Sequence, residues 1–243
     1  MKRITHWTQV TADPNADKAL AFMREHLQRT RRQPVRNRVA YLEELVRGKD
    51  VLDVGVVDHF TNSKEKADWL HGKIVTSSAT VCGIDVVPDA VENLRAAGYR
   101  VQLLDFTREV PSGDFDVVVC GEIIEHVGSP QSIFRSAKKV LRPGGRLVLT
   151  TPNPYFSQRI QAGLLGKVTE SVDHIALFTP ANIAEMGMRE GLPIECWRGV
   201  MDPGRARSLR ARLSFCFRPV LRCVFAAEVF CQTIIYECVH KPV

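Results

Sequence analysis

The sequence predicts an α/β fold in which a largely parallel sheet carries helices on both faces. Three observations lead there. Short β-rich runs alternate with helical stretches through most of the chain, which is the pattern of βαβ units. Runs such as "FDVVVC" are too continuously apolar for a strand with one wet face, and so belong in a sheet covered on both sides. Finally, 243 residues with 45% hydrophobic content suffice to bury one such domain with decorations.

The elements follow in order. Between Asp17 and Arg47, Leu20, Met23 and Leu27, then Val39, Leu42 and Leu45, recur at helical spacing with a break near Pro34. Two helices are expected, forming an N-terminal extension over residues 1–47 ahead of a main domain over 48–243. Strands are expected at "DVLDVG" (50–55), "TVCGID" (80–85), "RVQLLD" (100–105), "FDVVVCG" (115–121) and "GRLVLTTP" (145–152), and the last two at "PIECWRG" and "QTIIYECVH". Helices should fill 64–77, 88–97, 130–141 and 180–190, the last opening with Thr179 as N-cap before Pro180. Residues 202–225 read as a basic insertion between the last two strands.

The start, "MKRITHWTQV", has no apolar stretch behind its basic residues, and no run of some 18 apolar residues follows anywhere. A cytoplasmic location is the expectation. Seven cysteines stand singly in apolar stretches with no C-x-x-C pair, so they are expected to be reduced core residues. The net charge of +6 is concentrated in "RTRRQPVRNR" (29–38) and "RARSLRAR" (205–212). Such runs are ordinarily solvated faces; a phosphate-rich partner or an anionic membrane surface are the alternatives. The second run continues into "LSFCFRPVLRCVF", where basic and apolar residues interleave as in a peripheral membrane segment or a cap over a site.

In an open parallel sheet, ligands bind outside the carboxyl ends of the strands. The first four strands end there in Asp53 and Gly55, Asp85, Asp105, and Gly121 with Glu122. A carboxylate at Asp85 can accept both hydroxyls of a ribose. Asp105 can recognise an adenine amino group, with Phe106 covering the ring.

Together "VLDVG", "GIDVVPDAVENLRAAGY", "LLDFT", "FDVVVCGEIIEHV", "LRPGGRLVLTTPNP" and "DHIALFTP" resemble the class I S-adenosylmethionine-dependent methyltransferases over roughly residues 45–200. The resemblance implies a Rossmann-like seven-stranded sheet with its last strand antiparallel, and S-adenosylmethionine as cofactor, held by Asp53, Gly55, Asp85 and Asp105. The chain departs from that family at the first loop, which reads "GVVDHF" instead of G-x-G-x-G. Without the second glycine, Val57, Asp58 or His59 must shape the contact with the methionine end. The long interval to Asp85, with Val57, Asp58, His59 and then Trp69, Leu70, His71, resembles methyltransferases of polysaccharide biosynthesis.

"GEIIEH" places Glu122, Glu125 and His126 just behind the fourth strand. If a helical turn begins there, these positions stand at i, i+3 and i+4 and share one face. Two carboxylates and an imidazole suit Mg²⁺ or Mn²⁺, and Zn²⁺ or Fe²⁺ by ligand type. His174, on the loop "VDHIALFTP", can return to the same edge. The E-x-x-E-H pattern resembles that of the ubiquinone-pathway O-methyltransferases and of the family that methylates the terminal 2′-hydroxyl of small RNAs, both of which use a divalent ion. That resemblance implies Glu122, Glu125, His126 and His174 as metal ligands; the alternative is a histidine that only ties loops together. A hydroxyl acceptor needs its proton removed, by a metal that lowers its pKa or by His126 or His174 as general base, with Glu122 next in line.

Vicinal diols suit such a site. The first expectation is a sugar hydroxyl of a glycan or glycolipid precursor. A small aromatic or quinone-pathway molecule is the second, and RNA the third, since aromatic stacking platforms are scarce. Trp69 and Trp197 can stack on a sugar, or lie in the core. Tyr155 and Phe156 precede a lid made mobile by Gly163 and Gly166. A non-enzymatic scaffold would instead tolerate loss of Glu122 and His126.

Overall fold

A computed structural model describes residues 4–57, 68–201 and 226–241. Seven strands, β1 (Asp50–Val54), β2 (Thr80–Asp85), β3 (Val101–Leu103), β4 (Phe115–Gly121), β5 (Leu141–Pro152), β6 (Ile194–Val200) and β7 (Thr233–Val239), form one sheet in the order β3-β2-β1-β4-β5-β7-β6. β1 through β5 pair in parallel, and β7 runs antiparallel to both β5 and β6. The reversal of order at β1 and β4 puts the switch point beside the ends of those two strands, where Asp53 pairs with Gly83 and Val119.

Alternation along the strands explains why both faces are covered. Leu52, Val118, Cys120, Leu147, Leu149, Ile234 and Tyr236 point into one core. Their neighbours Val51, Val117, Val119, Val148 and Ile235 point into a second. On the first side lie α5 (Pro130–Val140) and α7 (Pro180–Glu190), through Ile133, Phe134, Ala137, Ile183 and Ala184. Met23 and Leu27 of α1 (Asp17–Thr30) pack against the same core. On the second side α2 (Arg38–Leu45) and α3 (Leu70–Ser77) contribute Leu42 and Ile74. A third cluster joins Trp69 to Val91 and Leu94 of α4 (Pro88–Ala96).

The free edge of β6 is covered by the segment after α1. Arg32 and Val35 donate their amides to the carbonyls of Trp197 and Gly199 at 2.9 and 3.0 Å, so the edge offers fewer unpaired groups to another chain. Arg31 makes an ion pair with the buried Glu228, which fixes the same segment to the 3-10 turn before β7. Among the described residues, no helix is long and apolar enough to cross a membrane. The five described cysteines, Cys82, Cys120, Cys196, Cys231 and Cys238, are buried as expected of core residues, whereas Cys216 and Cys223 lie outside the described residues.

Several expectations need correction. β3 is only three residues long, because the chain turns at Asp105 to bond Thr107. β5 begins at Leu141, directly after α5. The segment after β5, expected as a flexible lid, contains a helix, α6 (Ser157–Leu164), with Gly163 in its last turn. Of the two readings of Trp69 and Trp197, the core is the one observed: they are 7% and 8% exposed, and their indole N–H groups donate to the carbonyls of Val56 and Leu27. The basic insertion 202–225 and residues 64–67 of the expected third helix lie outside the described residues.

Thr179 does cap α7. Its hydroxyl accepts from the Asn182 amide while the Asn182 side chain accepts from the Thr179 amide, a reciprocal box. Thr179→Ala is expected to cost about 1 kcal/mol, read as a shifted midpoint in urea unfolding with an unchanged slope.

Candidate functional site

The edge at which the sequence places a cofactor is built from the ends of β1 and β2. Gly55 has φ +78°, and a Cβ there would stand 2.1 Å from Ile123 Cδ1, so both the turn and the packing require glycine. Asp85 is buried and already accepts three backbone N–H groups: Val86 and Val87 at Oδ1 (2.7 and 3.1 Å), and Val57 at Oδ2 (2.8 Å). These bonds fold the loop around its carboxylate and aim the remaining lone pairs. Val57 thus takes part through its backbone, while Asp58 and His59 lie outside the described residues.

Asp53 is 2% exposed and its Oδ2 lies 2.8 Å from Nδ1 of the equally buried His71, on α3. Asp105 accepts from the Thr107 amide and hydroxyl at Oδ1, and the hydroxyl above all holds its carboxyl below the usual range. Phe106, expected to cover an adenine ring, is only 3% exposed and packs in the main core. Gly121 ends β4 against Leu70 Cδ2, 3.1 Å from where its Cβ would be, and pairs with Thr150 of β5.

The acceptor side departs from the sequence geometry at one residue. Glu122 is left-handed (φ +59°), and a single 3-10 turn follows at Ile124–His126. Because the helical turn starts after Glu122, the i, i+3, i+4 relation fails there, and its side chain swings to β5 and α2. Its Oε1 accepts from the Thr150 hydroxyl at 3.0 Å and pairs with Arg38 at 3.2 Å. Arg38 also donates to the Thr150 hydroxyl at 3.0 Å.

Glu125, His126 and His174 do converge: one ligand atom from each lies within 4.8 Å of the others, a set that Glu122 does not join. The loop carrying His174 is held by the Ile175 amide donating to the Glu125 carbonyl at 2.9 Å. Glu125 is fully buried; its Oε2 accepts from the Thr151 hydroxyl at 3.0 Å, and its Oε1 has no hydrogen-bond partner. Burial, and then the charge of Glu122, push its carboxyl up to about 8. His126 Nδ1 lies 3.2 Å from Asp173, and its ring meets that of His174 edge-on at 4.7 Å between centroids. Burial, and then His126, lower the pKa of His174, whose Nδ1 is buried without a partner.

Two unsatisfied buried ligand atoms, Glu125 Oε1 and His174 Nδ1, on members of one such cluster are what a divalent ion would resolve. One carboxylate and two imidazoles fit a borderline ion such as Mn²⁺, Fe²⁺ or Zn²⁺ better than the oxygen-rich set preferred by Mg²⁺.

Sequence reasoning missed Arg38, Thr150 and Thr151 as parts of these sites, and singled out His71 and Asp173 without the partners they meet. Arg38 was visible only as one of many arginines in a basic run, and nothing local marks it as the one that turns inward. His71 was noticed within "WLH" but carried no partner. Asp173 stood beside His174 in the quoted "VDH", and it reaches His126 only through folding.

A family model described as a methyltransferase domain matches residues 23–196. The chain is 32% identical over 167 residues to a ubiquinone biosynthesis O-methyltransferase of Aeromonas salmonicida, covering 63% of this chain and 66% of the relative. It is 39% identical over 114 residues to the enzyme of that name from Xanthomonas oryzae, covering 44% of each. The chain thus spans less than two thirds of the length of these curated relatives, although it covers 71% of one from Xanthomonas axonopodis at 31% identity.

Among solved structures, an S-adenosylmethionine-dependent methyltransferase from Mesorhizobium loti superposes with a TM-score of 0.52 at 17% identity, covering 83% of this chain and 95% of that one. A magnesium protoporphyrin IX methyltransferase from Synechocystis, with bound S-adenosylhomocysteine, gives 0.55 at 14%, covering 97% and 93%. The sheet order, the antiparallel β7 and the matched span agree: the chain belongs to the methyltransferase-domain family and has the class I fold of S-adenosylmethionine-dependent methyltransferases.

Proposed function

We propose that the chain transfers the methyl group of S-adenosylmethionine to a hydroxyl of a small aromatic or quinone-pathway acceptor, with a divalent ion held by Glu125, His126 and His174. The observation that carries the hydroxyl chemistry is the convergence of those three side chains within 4.8 Å, next to the strand ends that bind the cofactor in this fold. Curated relatives named for ubiquinone biosynthesis O-methylation support the aromatic acceptor over the sugar hydroxyl expected first from the sequence. RNA loses support from Arg31 and Arg38. Both are committed to internal carboxylates, Glu228 and Glu122, so this part of the basic run is not an open phosphate-binding face.

Methyl transfer from a sulfonium is an in-line displacement, so the acceptor oxygen must be both deprotonated and aligned. When bound, a divalent ion supplies Lewis-acid polarisation that lowers the pKa of a hydroxyl. His174, neutral near physiological pH, is placed to hold a proton in its absence. Asp173 orients the His126 ring, and the Arg38–Glu122–Thr150 group fixes the floor beside it.

The test is transfer of labelled methyl from S-adenosylmethionine to catechols, mono- and oligosaccharides and short RNAs, with Mn²⁺, Zn²⁺ or Mg²⁺ and again with a chelator. Transfer to a catechol that disappears on chelation is the expected result. Transfer that survives chelation overturns the metal role and leaves His174 as base. A saccharide as the preferred acceptor restores the first expectation.

A further inference from the structure

We infer that His71 is a positioning residue of the cofactor site, whose Nδ1–H holds the Asp53 carboxylate where the glycine-rich loop is missing. This rests on the reading that the carboxyl ends of β1 and β2 bind S-adenosylmethionine. Asp53 and His71 are 2% and 1% exposed, and the 2.8 Å contact pairs a carboxylate that water scarcely reaches. The second ring nitrogen, Nε2, is buried with no hydrogen-bond partner. A proton on Nδ1 alone leaves no buried N–H without an acceptor, so the Nδ1–H tautomer is the one the hydrogen bonding favours.

The surroundings are shaped for this ring. A Cβ at Gly83 on β2 would stand 2.8 Å from His71 Cε1 and 3.2 Å from Nε2, so the strand admits the imidazole only because that position is glycine. Trp69 and Tyr99 pack on it at 5.3 and 5.8 Å between centroids. Trp69, one position before α3, also donates its indole N–H to the Val56 carbonyl at 3.0 Å, while Asp85 accepts the Val57 amide. Two side chains at the start of α3 therefore grip β1 and the loop beyond it from beneath. In the usual loop, glycines let the backbone itself wrap the methionine end. Here "GVVDHF" lacks the second glycine, and side-chain bonds hold the described part of the loop, Gly55 to Val57. Asp53 is thereby fixed at the carboxyl end of β1, the edge at which this reading places the cofactor.

The experiment is calorimetric titration of the full chain with S-adenosylmethionine, for wild type, His71→Leu and His71→Asn, together with ¹⁵N–¹H spectra of the wild-type imidazole. His71→Leu is expected to weaken binding about tenfold or more, because it leaves a buried carboxylate without its donor. His71→Asn, whose amide nitrogen reaches the place of Nδ1, should stay within about threefold of wild type. The spectra should show one proton, on Nδ1, shifting when the cofactor is added. A folded His71→Leu that binds as wild type does, a His71→Asn as weak as His71→Leu, or a proton on Nε2 overturns the role. Should His71→Leu not fold, the asparagine variant and the spectra decide. No binding by the wild type overturns the cofactor reading and this role with it, whereas wild-type binding with unaffected variants overturns the role alone.

Discussion

Replacing His174 by alanine is expected to lower methyl transfer by about 10²-fold or more, because it removes either a ligand of the ion or the base that takes its place. The two origins separate in the ion affinity. A ligand role predicts that Mn²⁺ or Zn²⁺ binding, measured by titration calorimetry, falls along with turnover; a base role predicts that it does not. Glu125→Gln is the informative companion. The amide keeps the shape and can keep the bond with Thr151, but it loses the negative charge that a cation needs. Ion binding should be lost. Stability of the ion-free protein should hold near neutral pH, where a carboxyl pushed up to about 8 is itself mostly protonated, and should exceed that of wild type only as the pH rises past that value and the buried group must ionise. Scanning calorimetry with and without the ion reads both effects. Ion affinity unchanged in both variants would reject the cluster.

Gly55→Ala should be the most damaging small change at the cofactor edge. Its left-handed φ of +78° costs a residue with a Cβ about 1–2 kcal/mol, and that Cβ would overlap the end of Ile123. The overlap can be relieved and the backbone strain cannot. Gly55→Ala combined with Ile123→Ala is therefore expected to bind the cofactor better than Gly55→Ala alone, yet to remain less stable than Ile123→Ala by about the backbone cost. Denaturant midpoints and cofactor titrations of the three variants check this. Full recovery in the pair would show that only the clash mattered.

Much of the fold was legible because its signals are local. Short β-rich runs marked all seven strands, helical spacing marked α1 and α2, the stretches between the strands gave α4, α5 and α7, and Thr179 before Pro180 gave the start of α7. Acidic residues at the strand ends marked the carboxyl edge of the sheet as the place to expect a cofactor without any knowledge of pairing. The helix α6 escaped because its apolar residues are largely exposed: Ile160 and Leu164 are 45% and 82% accessible, so no buried stripe disciplines the pattern. Phe106 misled for the opposite reason, since an aromatic beside a ligand-type aspartate reads the same whether its ring faces a cleft or the core.

The site divides along the same line. The sequence by itself determined which chemical groups stand at the carboxyl edge, because strand periodicity and chain reversal place Asp53, Asp85, Glu125 and His126 there whatever the helices do. Tertiary structure alone decided how those groups are used. One left-handed residue, Glu122, broke the helical face that its spacing implied and turned a presumed ligand towards Arg38, 84 positions earlier in the chain. Asp53 met His71 across the space that Gly83 leaves open, and Asp173 met His126 only once the last loop had folded back. Periodicity governs a few successive residues, whereas these pairings depend on which backbones approach closely enough to bury a charge beside its partner.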